Sequence, residues 1–162
     1  MNKKTNRMTK IAVTAAIYII ITFMFGAISY GPVQFRIAEA MVLLAFYDKD
    51  YIYALTIGCF ISNIMGPYGL PDIIFGTAAT LISAYAVYFT ARKIKSRDIA
   101  MVIASLWPTI VNAVFIGYML KITAGLPFVL SILQVGAGEF VVVTLAGVPL
   151  FKLIENKYMK TV

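Results

Sequence analysis

Histidine is absent from this chain, cysteine and tryptophan occur once each, and only 13% of its 162 residues are charged. Without histidine there is no imidazole ligand and no histidine-based triad, and the lone thiol of Cys59 allows neither an internal disulfide nor a thiolate zinc site. No metal is expected. A G-x-x-x-x-G-K-[ST] phosphate loop is also missing, so this chain does not hydrolyse ATP by that device, and a step driven by ATP needs another subunit.

What is abundant is apolar surface: 61% of the residues are hydrophobic, more than a water-soluble domain of this size can hide. The chain belongs in lipid. Residues 1–162 are read as one integral membrane domain, since spans of about 20 residues leave no room for a soluble one. The charge-free run from Ile11 to Ile28 gives about 27 Å of helix at 1.5 Å per residue. Its basic lead, Lys3, Lys4, Arg7 and Lys10, also resembles the start of a signal peptide, but the run is long for one and further spans follow.

Residues 73–91, 99–120 and 128–151 are each long enough to cross alone, whereas 37–47 and 51–65, split by Asp48, Lys49 and Asp50, are short. Charge decides how to count those two. With six spans and the N-terminus inside, Arg36 and Lys121 are the two of 14 basic residues that face out. Merging the short segments would instead move the Arg92, Lys93, Lys95 and Arg97 cluster outside, against the positive-inside rule. The expected fold is therefore an all-α membrane bundle of six helices, N-in and C-in. The basic excess then reflects topology, and no nucleic-acid partner is expected.

Asp, Glu, Asn, Gln and Arg are costly in hydrocarbon and tend to mark a site. In the six-span frame those inside the membrane fall in the outer half. Gln34, Arg36 and Glu39 lie at the outer start of the second helix, Asn63 near the end of the third and Asp72 at the start of the fourth. Asn112 lies about 12 Å below the outer end of the fifth, and Gln134 and Glu139 about 9 and 17 Å down the sixth. A channel needs polar groups through its whole depth, so this distribution favours a binding cup opening outward, beneath outer loops rich in Gly and Pro.

Each of these residues also has a structural reading. Arg36 and Glu39, three apart, can neutralise each other; Asn63, Asn112 and Gln134 can be interhelical glue; Glu139, without a charged neighbour within a turn, calls for a partner across helices or a ligand. Pro108 should kink the fifth helix beside Trp107. Two ridges of small residues, Ala12 with Ala16 and Gly76 with Thr80 and Ala84, suit close helix packing, either inside this bundle or against a partner. A paired-carboxylate or nucleophile motif at the cytoplasmic face, which a lipid-modifying enzyme would need, is not found.

Three blocks carry a family resemblance: Val33-Gln34-Phe35-Arg36-Ile37-Ala38-Glu39-Ala40; Ile57-Gly58-Cys59-Phe60-Ile61-Ser62-Asn63 with Gly66; and Asp72-Ile73-Ile74-Phe75-Gly76-Thr77-Ala78-Ala79-Thr80-Leu81-Ile82. In these the chain resembles the QueT queuosine-precursor transporters, substrate-binding S components of energy-coupling factor (ECF) transporters. The resemblance implies a non-enzymatic, multi-pass protein of a bacterial plasma membrane that captures a 7-deazaguanine such as preQ1, or queuine. It also implies a transmembrane coupling protein and two cytosolic ATPases as partners, with ATP used there and no cofactor in this chain. Ala12-x-x-x-Ala16 resembles the motif through which S components touch the coupling protein. Related S components for riboflavin, biotin or thiamine mark the nearest alternative substrates.

Overall fold

A computed structural model describes residues 2–30 and 35–158, and all regular structure among them is helical. The basic lead does not delay the first helix: α1 runs Lys3–Met24, capped by the Asn2 side chain, which accepts the Lys4 N–H. A short turn, α2 (Gly26–Ser29), extends it. The expected second span is a 3-10 helix, Ile37–Phe46, followed by α3 (Asp50–Ile64), α4 (Leu70–Lys93) and α5 (Arg97–Ala124). The expected sixth span is divided into α6 (Phe128–Glu139), a π-helical segment (Phe140–Gly147) and α7 (Val148–Tyr158).

Among the described residues, four stretches are long and apolar enough to cross a membrane: Lys3–Met24, Leu70–Lys93, Arg97–Ala124 and Phe128–Glu155. The 3-10 helix is shorter, yet at about 2 Å per residue its tighter winding stretches ten residues over about 20 Å. It sits in the middle of the bundle, touching α1, α3, α4, α5 and the π-helical segment, with Val42, Leu43 and Ala45 fully buried. Its sequence explains the position, because Glu39 is its only charged residue. Around it, α1 packs on α3, α3 on α4, α4 on α5 and α5 on α6.

The outer surface of this arrangement is apolar. Ile17, Ile20, Phe60, Ile74, Phe89 and Ile110 are 44% to 56% exposed, which suits lipid and not water. Charge gathers instead around the turn between the 3-10 helix and α3. There Arg7 meets Asp50 at 2.7 Å, Lys10 meets Asp48 at 2.5 Å, and Arg97 meets Glu155 at 2.5 Å. α5 continues as helix through Pro108, and Trp107 is partly exposed, donating to the Thr90 hydroxyl at 2.9 Å.

The widened turn after Glu139 has a local cause. Val141, Val142 and Val143 are β-branched and crowd an α-turn, and the ring of Pro149 clashes with the carbonyl four residues back in one. Widening relieves both, and the Val148 N–H bonds to the Val143 carbonyl five residues back. Gly147 lets this segment approach the 3-10 helix, since a Cβ there would lie 3.2 Å from Leu43.

Candidate binding site

At the end of the bundle away from the charged turn, the starts of the 3-10 helix and α4 meet the end of α3. Arg36 precedes the 3-10 helix with a non-helical backbone (φ −87°, ψ 86°), so its side chain leaves the helical face that Glu39 occupies. The structural alternative, in which Arg36 simply neutralises Glu39, is therefore not the pairing formed. Arg36 Nη2 lies 3.5 Å from Asp72 Oδ1, Nη1 lies 3.8 Å from Cys59 Sγ, and the guanidinium stands 5.6 Å from the centre of the Tyr30 ring. Glu39 Oε1 instead accepts the Tyr18 hydroxyl of α1 and, at 3.0 Å, the Thr80 hydroxyl of α4.

Asn63 joins α3 to α4 by donating to the Asp72 backbone carbonyl at 3.0 Å and to Cys59 Sγ at 3.3 Å. The Thr80 hydroxyl oxygen also lies 3.2 Å from that sulfur. Glu139, at the end of α6, faces the Asn112 amide of α5 and lies within electrostatic reach of Glu39 and Arg36. Six of the expected residues thus lie buried together: Arg36, Glu39, Asn63, Asp72, Asn112 and Glu139 are each at most 4% exposed. They lie beneath the surface rather than in an open cup. Above them the Tyr30 hydroxyl donates to the Ser62 carbonyl at 2.9 Å, and the Tyr68 hydroxyl to the Tyr30 carbonyl at 3.0 Å.

Two other expected residues stand apart. Gln34 lies outside the described residues. Gln134 is half-buried and takes part in none of the cluster's bonds among the described residues; five positions before Glu139, it points about 140° away around α6. Conversely, Tyr18, Tyr30 and Cys59 belong to the cluster without having been expected there, and Thr80 was noted only as a small residue on a ridge. Their signal was faint, since hydroxyls and thiols are tolerated in hydrocarbon where charges are not.

The cluster's chemistry is set by what it leaves unpaired. Among the described residues, Glu39 Oε2, Asn63 Oδ1, Asp72 Oδ2 and Glu139 Oε2 accept no hydrogen bond and Arg36 Nε and Asn112 Nδ2 donate none, while Asp72 Oδ1 and Arg36 Nη2 meet only in their 3.5 Å ion pair. Each such buried atom costs about 1–3 kcal/mol, and so many in one place call for an explanation. Four acceptor atoms and two donors, on three acids, one guanidinium and two amides, complement a small polar molecule with several N–H donors and at least one acceptor.

Apolar helices around a polar, charged interior define a multi-pass membrane protein. The chain belongs to the QueT transporter family, whose sequence model matches residues 8–156. Over 81 residues it is 47% identical to the queuosine precursor transporter QueT of Lactococcus lactis subsp. cremoris (strain MG1363), an alignment covering 49% of this chain and 47% of that protein. The chain thus matches about half the length of this curated relative. No solved structure matches it.

Proposed function

We propose that this chain is the substrate-binding S component of an ECF importer and captures a queuosine precursor, a 7-deazaguanine such as preQ1 or queuine, from the outer face of a bacterial plasma membrane. The observation that carries this reading is the set of unpaired acceptors and donors on Arg36, Glu39, Asn63, Asp72, Asn112 and Glu139. A deazaguanine presents N–H donors along one edge and a carbonyl acceptor beside them. Carboxylates suit the first and a guanidinium the second. An added aminomethyl cation accounts for a site with more acids than bases. Gln34 and Gln134 remain candidates for the periphery of that site.

In this reading residues 1–162 form one domain that crosses the membrane six times, with the 3-10 helix and α3 as short spans and both ends inside. The burial of the cluster makes release depend on a conformational change, and with no phosphate loop here the energy comes from two ATPases acting through a coupling protein. The Ala12 and Ala16 face of α1 is the proposed contact with that protein. Both alanines are exposed, whereas Gly76, Thr80 and Ala84 are buried within the bundle.

The test is titration of preQ1, queuine, riboflavin, biotin and thiamine into the purified chain. Saturable binding of a deazaguanine alone supports the reading. Binding of one of the vitamins in its place would transfer the site to that substrate, and binding of none would overturn it.

A further inference from the structure

At the charged end of the bundle a cavity of about 410 Å³ opens between the end of the 3-10 helix and the α4–α5 turn. Phe46 and Tyr47 form its apolar side, and Arg92, Lys95 and Arg97 supply the charge. Topology alone accounts for basic residues at such an end, but not for their being held around a concavity. Arg92 is fixed by donating to the Tyr88 carbonyl at 2.9 Å, with its guanidinium 3.3 Å from the Tyr88 ring centre. Arg97 is fixed by Glu155 at 2.5 Å and stands 5.5 Å from the ring centre of Tyr47, whose hydroxyl donates to Glu155 at 3.1 Å. The residues that line the cavity include these three cations and no carboxylate, which makes its wall positive. They leave free guanidinium and ammonium donors of the kind that bind phosphate.

We propose that this cavity is a phosphate-binding site occupied by the headgroup of an anionic phospholipid. Its position selects a lipid over a free anion: it lies at the ends of two apolar spans, where Phe89, one turn before Arg92, and Ile99, two residues after Arg97, are 54% and 56% exposed and suit acyl chains. The open side admits a headgroup while the chains stay on the apolar flank. The site is independent of the polar cluster at the other end, and so of the substrate proposed there.

The test is native mass spectrometry of the detergent-solubilised full chain titrated with phosphatidylglycerol or phosphatidylcholine, repeated with inorganic phosphate as competitor. Phosphatidylglycerol is expected to bind preferentially, and Arg92→Gln and Lys95→Gln to weaken it about fivefold each. Lys93→Gln removes the same charge from an exposed position that does not line the cavity, and should change little. Equal binding of the two lipids, or an effect of Lys93→Gln as large as that of Lys95→Gln, refutes a defined headgroup site. Binding of inorganic phosphate without preference for phosphatidylglycerol assigns the cavity to a free anion and overturns the lipid assignment.

Discussion

The Asn63 amide donates to the backbone carbonyl of Asp72 at 3.0 Å, and it reaches that carbonyl across Gly76, where a Cβ would collide with the amide nitrogen. Gly76→Ala should therefore force Asn63 and Asp72 apart, at a cost of about 1–3 kcal/mol for overpacking, and weaken any ligand held by Asp72 and Arg36. Gly26→Ala is the control. A Cβ there meets nothing within 4 Å, so the change should stay within about 0.5 kcal/mol. Thermal unfolding in detergent compares the two, and an unchanged Gly76→Ala protein would show that the contact is not one the fold depends on.

Ala12 and Ala16 present their side chains outward, while Thr14, Ala15 and Tyr18 of the same helix face in. Replacing both exposed alanines with Leu should leave the melting temperature and ligand affinity of the isolated chain unchanged, yet abolish uptake in cells by preventing close helix approach. Loss of binding along with uptake would return the ridge to the fold of this chain and remove it as a partner contact.

The difference between these two ridges marks what a linear pattern can and cannot reveal. Small-residue spacing is the same on both helices, and only the packing of α4 against α3 tells which is spent inside the bundle. The shared burial of Arg36, Glu39, Asn63, Asp72, Asn112 and Glu139 was legible because charge and amide are so costly in lipid that they stand out one residue at a time. The spans from 73 to 120 were legible for the converse reason, and extend only a few residues past their expected ends. The 3-10 winding of Ile37–Phe46 was not, because a segment apolar at every position but Glu39 carries no polar–apolar periodicity to read. Nor was the partner of Arg36. Spacing of three implies Glu39 only if the helix already includes Arg36, and it begins one residue later.

The charged turn gives a pH dependence with a definite sign. The Asp50 backbone N–H donates to Asp48 at 2.9 Å and the Lys10 ammonium at 2.5 Å, and these bonds hold the Asp48 carboxyl below its ordinary range. Since the folded state has the lower value, the stabilisation is present in full above the unfolded value. It is lost as the pH falls through the folded one. The melting temperature should therefore drop as the pH is lowered from about 5 to about 3, and Asp48→Asn should make that drop shallower. High salt should shrink it as well, because Asp48 is partly exposed. An identical slope in Asp48→Asn would assign the acid sensitivity to other carboxylates.

Glu139 separates the ligand reading of the cluster from a purely structural one. It is 3% exposed beside Asn112, its Oε2 accepts no hydrogen bond among the described residues, and its nearest charged neighbours include a second acid, Glu39. A buried acid facing another acid is expensive to keep unless something in the site pairs with it. Glu139→Gln preserves volume and most hydrogen-bonding capacity while deleting the charge that the site offers a cation. If Glu139 holds an ammonium or the N–H edge of a deazaguanine, preQ1 affinity should fall by about 2–5 kcal/mol, as for one side of a desolvated charged pair. The fold should tolerate the change, because removing a carboxylate also relieves its repulsion with Glu39. A structural Glu139 behaves in the opposite way: glutamine mimics a protonated acid bonded to Asn112, and affinity stays where it was. Titration of preQ1 with the melting temperature followed alongside distinguishes them. A melt at or above that of the parent chain with affinity lost places Glu139 against the ligand; unchanged affinity takes it out of the site and leaves Glu39 and Asp72 as the acids available to bind a cation.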